Sequence, residues 1–307
     1  MGGVTPATVI LPTTGWNDAC EEVAEQLRPR DVLLVVCDGP IESVVERVDD
    51  YPDNVRLVVA GEPEGCSGKA NAIAAGMEAA ETDRIVWTDD DFHHPSDWLE
   101  GLRADYDRRG PTSELPVFIG QDPLAAVLEP TYAISGTLAV YLADIPWGGS
   151  LVFERVDLDD EAAFLADLRR TVSDDGLLME YVDFTTVKRT RRVEIGGSIR
   201  DTLENQVRFA QIIRRHDPTG TAVQAAIGAV LAVGCVLFPL PALTLTTFWM
   251  AGVYAAFGIR RWTFLAAYPV VLAAIPLLVY GLTRHSFVWG GRRYRWDDKF
   301  DVTVESE

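Results

Sequence analysis

From Ala222 to Ile259 the sequence carries no charged residue, and beyond Arg260 and Arg261 a second uncharged run extends from Trp262 to Thr283. A helix needs roughly 20 apolar residues to cross a hydrocarbon core, and only helices or closed barrels satisfy their backbone there. This region is therefore expected to form two to three hydrophobic helices in a bilayer, the first run being broken at Phe238-Pro239-Leu240-Pro241. Arg214, Arg215, Arg260, Arg261, Arg284, Arg292, Arg293 and Arg295 flank the runs, and Trp249, Trp262, Tyr280, Trp289 and Tyr294 suit the interfaces. Three crossings would place Arg292, Arg293 and Arg295 outside, whereas a re-entrant or interfacial segment among them returns these residues to the inner side. The expected division is a cytoplasmic domain over 1–215, a membrane region over 216–288, and a tail over 289–307 that is first basic and then acidic.

Charge narrows the choice of partners. Asp and Glu number 46 against 27 Lys and Arg, a formal charge of −19, which disfavours nucleic acid and other polyanions. Lys69, Lys188 and Lys299 are the only lysines, and acidic excess with Arg in place of Lys has the style of a salt-adapted archaeon. Cys20, Cys37, Cys66 and Cys235 show no metal-finger or C-x-x-C spacing, which suits a reduced intracellular setting. Met1 to Ala7 is short and uncharged, so neither a signal peptide nor an amino-terminal anchor is expected.

Before the membrane region, apolar runs at Thr8–Leu11, Asp31–Cys37, Val55–Val59 and Arg84–Trp87 alternate with helical patterns at Asp18–Leu27, Ile41–Val48 and Lys69–Ala80. This alternation predicts a doubly wound α/β sheet of the nucleotide-binding kind. The Arg84–Trp87 run stops in Asp89-Asp90-Asp91, at the strand end where open α/β sheets place ligands. Period two sends Asp89 and Asp91 to one face and Asp90 to the other. Two carboxylates aimed at one point suit a hard divalent cation that shares its other positions with phosphate oxygens; a solvated acidic turn is the competing reading.

Gly65-Cys66-Ser67-Gly68-Lys69 lacks the spacing of a P-loop, and Ala70 replaces the hydroxyl residue that would hold magnesium. The loop still offers helix N–H groups and the Lys69 ammonium to an anion. His93 and His94 are expected at the surface or rim of the site. Ala125 to Pro146 reads as an interfacial helix, and Trp147-Gly148-Gly149-Ser150 as a loop whose glycines admit a ligand close to the backbone. Asp174-Asp175 stands at the start of an apolar segment, where a carboxylate often serves only as a helix cap.

Taken in order, Gly68-Lys69-x-Asn71, Asp89-x-Asp91, Leu128-Glu129, Gly148-Gly149-Ser150, Asp174-Asp175 and Trp289-Gly290-Gly291-Arg292-Arg293-Tyr294-Arg295 resemble family 2-type inverting glycosyltransferases of the GT-A fold, closest to the ceramide glucosyltransferase-like branch. The resemblance implies a membrane-anchored, metal-dependent hexosyltransferase of the cell membrane. It would move a sugar from a nucleotide diphosphate sugar, a UDP-sugar being favoured, to a lipid-linked hydroxyl acceptor. Asp38, Lys69, Asn71, Asp89 and Arg208 would then bind the donor, with Asp38 at its uracil or ribose side. Asp89 and Asp91 would hold Mn²⁺ or Mg²⁺, Asp175 with Asp174 beside it would supply the base, and Trp147 to Ser150 would form the acceptor loop. The family's Gln/Arg-x-x-Arg-Trp box is altered to Asn205-Gln206-Val207-Arg208-Phe209, which keeps the cation and loses the indole N–H. A polyprenyl-phosphate sugar synthase and a non-catalytic membrane-anchored binding protein are the alternative functions.

Overall fold

Four apolar runs become parallel strands, β1 (Ala7–Pro12), β2 (Val32–Cys37), β3 (Val55–Val59) and β4 (Arg84–Thr88), in a computed structural model that describes residues 5–306. Most of the expectation placed on Met1–Ala7 thus lies outside the described residues. Strand β5 (Thr112–Gly120), β6 (Ser150–Glu154) and β7 (Thr185–Ile195) complete a seven-stranded sheet of order β3-β2-β1-β4-β6-β5-β7. The parallel winding expected from the sequence holds through β4, and β6 then lies antiparallel to it with Thr88 opposite Ser150. That register places the end of Arg84–Thr88 and the start of Ser150–Glu154 side by side in the middle of the sheet, at the carboxyl end of β4.

The helices are α1 (Asp18–Ala24), α2 (Glu42–Asp49), α3 (Gly68–Ala79), α4 (Trp98–Arg109), α5 (Pro123–Tyr132), α6 (Ala139–Leu142), α7 (Glu161–Leu168) and α8 (Asp174–Leu178). They are followed by α9 (Ile199–His216), α10 (Pro218–Leu237), α11 (Pro239–Ala256) and α12 (Ala267–Thr283), then by a hairpin of β8 (Ser286–Trp289) and β9 (Arg292–Asp298). The chain divides into two compact units: Met1–Leu115 with Ala143–Arg191 and Phe300–Val304, and Pro116–Leu142 with Arg192–Lys299 and Glu305–Glu307.

In the first unit, period two gives the sheet two apolar faces. Ile10, Leu34, Ile85, Trp87, Leu151 and Phe153 pack with α3, α7 and α8, while Val9, Leu33, Val35, Val86 and Val152 pack with α1, α2 and α4. Helix α3 is buried almost all round, and its alanines at 70, 72, 74 and 75 let it lie close to the sheet.

In the second unit, α10 and α12 run antiparallel: the Tyr268 hydroxyl donates to the Cys235 carbonyl at 3.3 Å, and Gly228 lies against Ile275. Gln211 of α9 donates to the Gly281 carbonyl at 2.9 Å, so the end of α9 and the end of α12 meet. Pro218–Leu237 and Trp262–Thr283 are long and apolar enough to cross a membrane. Ala125 to Leu142 is helical, with a π-helical turn over Ala133–Leu138 shortly after Pro130, whose missing N–H interrupts the regular ladder.

Candidate functional site

The aspartates singled out in the sequence fall in the first unit, and Glu129 in the second. Beyond Thr88 the chain continues the alternation of β4. Asp89 follows Trp87 onto the face of α3 and α8, where its Oδ1 lies 2.6 Å from Lys69 Nζ, and its N–H donates to the Gly149 carbonyl at 3.1 Å. Asp90 turns to the other face, accepting from Thr13 Oγ1 at 2.6 Å and Asn17 Nδ2 at 2.9 Å; burial raises its carboxyl above the usual range. The expected divergence of these two carboxylates is therefore present, and Asp91 is exposed.

Lys69 stands on the first turn of α3, which is capped by Ser67 Oγ accepting from the Ala70 N–H at 3.0 Å. Its ammonium also lies 3.3 Å from Asp174 Oδ2, an oxygen 2.5 Å from where a Cβ on Gly148 would stand. Burial opposes the charge on Lys69, but Asp174, Asp89 and Asp175 outweigh it and raise the ammonium above its ordinary value. For Asp174 burial is the largest cause; Lys69 pulls it down, Asp175 and Asp89 push it further up, and it settles at about 6. Two carboxylates, Asp89 and Asp174, thus share one ammonium.

The paired glycines of the 147–150 loop exist for this cluster. A Cβ on Gly148 would also stand 3.2 Å from Lys69 Nζ, and one on Gly149 would collide with the Trp147 ring and lie 2.8 Å from Asp89 Oδ2. The close backbone approach expected of the loop is therefore an approach to the protein's own charges. Trp147 and Ser150 are buried, with Ser150 Oγ donating to Glu114 at 2.7 Å and accepting from Trp98 Nε1 at 2.8 Å.

Helix α8 is capped by Ser173, whose Oγ accepts from the Gly176 N–H at 3.1 Å, so the capping role read for the acidic pair belongs to its neighbour. Asp175 Oδ1 accepts from Ser173 Oγ at 2.7 Å and from the Gly176 N–H at 2.8 Å, and the residue is half-buried beside the buried Asp174. Asn71 is buried, with its amide nitrogen donating to the Gly61 carbonyl at 2.8 Å and its oxygen accepting from Arg169 Nη1 at 2.7 Å. Asp38 follows directly on the end of β2 and is half-buried.

His93 is exposed as expected, but His94 is not a rim residue: it is 2 % exposed, with Nε2 2.6 Å from Thr88 Oγ1. Phe92 and Trp98, with ring centroids 4.1 and 4.7 Å from the imidazole, enclose it. Arg208 belongs to the second unit, where its guanidinium lies 4.3 Å from the Trp289 ring centroid and 5.0 Å from that of Phe209. An indole thus lies against Arg208, from Trp289 rather than from position 209. No spacing rule would have found it, because β8 is about eighty residues downstream.

As to metal, Asp89 and the exposed Asp91 carry hard carboxylate oxygens of the kind Mn²⁺ or Mg²⁺ takes together with phosphate oxygens, although here Asp89 pairs with Lys69. Among the described residues no three His, Cys, Asp or Glu side chains form a ready-made metal cage. A cation shared with a substrate does not require one.

Residues 17–124 match the model of glycosyl transferase family 2. The match covers about a third of the chain and takes in Asp38, Lys69, Asn71, Asp89 and Asp91. The matched stretch carries strands β2 to β5 and the acidic end of β4. No curated protein matches the chain. Among solved structures, it is similar to mannosyl-3-phosphoglycerate synthase from Rubrobacter xylanophilus, at 13 % identity over 71 % of this chain and 76 % of that one, TM-score 0.46. It is also similar to glucosyl-3-phosphoglycerate synthase from Mycobacterium tuberculosis, in complex with Mn²⁺, UDP-glucose and phosphoglyceric acid, at 16 % identity over 70 % and 80 %, TM-score 0.43. A third likeness is S. aureus TarS 1-349 in complex with UDP-GlcNAc, at 12 % identity over 98 % and 100 %, TM-score 0.43.

Proposed function

We propose that the chain is a membrane-anchored inverting glycosyltransferase of the ceramide glucosyltransferase-like branch, transferring a sugar from a UDP-sugar to a lipid-linked hydroxyl. The observation that carries this reading is the Lys69–Asp89–Asp174 cluster at the strand ends of a family 2 domain, with half-buried Asp175 next to it. Asp175 takes the proton of the acceptor hydroxyl as its oxygen forms a bond to the anomeric carbon. The bond from that carbon to the diphosphate breaks, its electron pair leaving with the nucleoside diphosphate. Lys69 binds the diphosphate, Asp38 the uracil or ribose side, and Arg208 the donor; Asn71 acts by fixing the 60–61 backbone. Mn²⁺ or Mg²⁺ on Asp89 and Asp91 supplies charge compensation to the diphosphate when bound.

The lipid acceptor rests on the second unit. Val230, Leu240 and Phe248 on α10 and α11 are 72 %, 75 % and 74 % exposed, and such large side chains suit hydrocarbon rather than water. The antiparallel α10 and α12 bring Arg214 and Arg215 to the same end as Arg284, which supports a cytoplasmic side for these charges with α11 as an interfacial segment. The acidic, lysine-poor surface is that of a salt-adapted cell.

Donor binding tests the reading. A UDP-sugar at a hundred times its Kd, with Mn²⁺, is expected to stabilise the detergent-solubilised chain by ~2.7 kcal/mol, and Lys69→Met to abolish the effect. Equal indifference to UDP-, GDP- and other nucleotide sugars, with and without metal, contradicts it.

A further inference from the structure

We infer that His94 is a positioning residue for the reaction site, holding Asp89 and the Gly148–Gly149 backbone in place through Thr88. Thr88 and Ser150 are opposite each other on β4 and β6, and both point away from the carboxylate cluster, onto the face of α1 and α4. Behind the cluster two buried polar arms converge on one stretch of backbone. In the first, Thr88 Oγ1 donates to the Gly149 carbonyl at 3.1 Å, the same carbonyl that receives the Asp89 N–H. Thr88 Oγ1 also lies 2.6 Å from His94 Nε2, and an imidazole that carries its proton on Nε2 lets the hydroxyl accept there while keeping its own proton for Gly149. In the second, Glu114, wholly buried and held by Arg189 and Arg191, accepts from Ser150 Oγ. Both arms grip residues 149–150 from the side opposite to Lys69 and Asp174.

The imidazole is an expensive choice if packing were its only task. Its Nδ1 is buried with no hydrogen-bond partner among the described residues, while Glu22 Oε2, 3.6 Å away, accepts from the His94 backbone N–H at 2.7 Å. Phenylalanine would fill the slot between Phe92 and Trp98 without that cost. What phenylalanine cannot do is donate to Thr88. Without that partner the Thr88 hydroxyl is free to turn from the Gly149 carbonyl, which then keeps only the Asp89 N–H.

This inference rests on the glycosyltransferase reading, and two readouts separate its fate from that of the reading. In His94→Phe, compared with wild type at pH 8, amide hydrogen exchange is expected to rise at Asp89 and over residues 147–150, whatever the substrate. Where wild type transfers sugar, His94→Phe should lose roughly tenfold to a hundredfold in kcat. His94→Gln, which restores an N–H at similar reach, should recover most of that loss. Thr88→Val combined with His94→Phe should be no worse than either alone, with melting temperatures close to wild type. Unchanged exchange, additive losses in the double variant, or losses that track melting temperature alone would overturn the positioning role. Inactivity of the wild type towards every nucleotide sugar would overturn the functional reading instead, leaving the exchange result to judge His94.

Discussion

His94 is kept neutral by its surroundings. Burial is the main cause, Glu22 attracts a proton, Arg191 and His93 repel one, and the imidazole ends at about 4, down from 6.5. Between those two values the unfolded chain binds a proton that the native chain refuses, so stability falls as pH drops from 6.5 towards 4. The shift corresponds to a loss on the order of 3 kcal/mol across that window, and His94→Phe should flatten this part of the stability curve, measured by denaturant unfolding at successive pH values. At this scale the sequence was legible where periodicity governs, as in the divergence of Asp89 from Asp90. It was not legible where burial governs: His94 and His93 look alike in the chain, and only the packing of Phe92 and Trp98 separates them.

Elements were readable where their residues repeat with a period. The four parallel strands and α3 follow from apolar runs and a glycine-led helix start, whereas the antiparallel turn of β6 against β4 depends on a segment between them that carries no strand signal. Longer-range ties escape sequence reading altogether. Asp31, at the entry to β2, accepts from the Ala7 and Arg28 N–H groups and pairs with Arg103 of α4 at 2.6 Å; both side chains are buried. Removing one partner leaves the other charge buried and uncompensated, so Asp31→Ala is expected to destabilise the chain by roughly 3–5 kcal/mol, read as a drop in the denaturant midpoint. A cost below about 1 kcal/mol would show that the pair is solvated. The hairpin of β8 and β9 was equally hidden: its basic and aromatic residues have no strand-like apolar run, and it is the turn of Gly290 and Gly291, both at positive φ, that lets the chain reverse.

For the whole molecule, the uncharged runs were the plainest signal, and they become helices of spanning length. If α10 to α12 hold the chain in a bilayer, the expressed protein should stay with the membrane pellet through carbonate washing and leave it only in detergent. Release into the wash would remove the case for a lipid acceptor. The catalytic assignment is exposed most directly at Asp175, where Asp175→Asn keeps the shape and the hydrogen bond to the Gly176 N–H but removes the proton acceptor. A positioned base contributes ~10²–10⁴ in rate and little to donor affinity. The decisive measurement is sugar transfer to a lipid hydroxyl by Asp175→Asn alongside calorimetric binding of the same UDP-sugar. Collapse of transfer with unchanged binding is the predicted result, while near-normal transfer would contradict the base assignment.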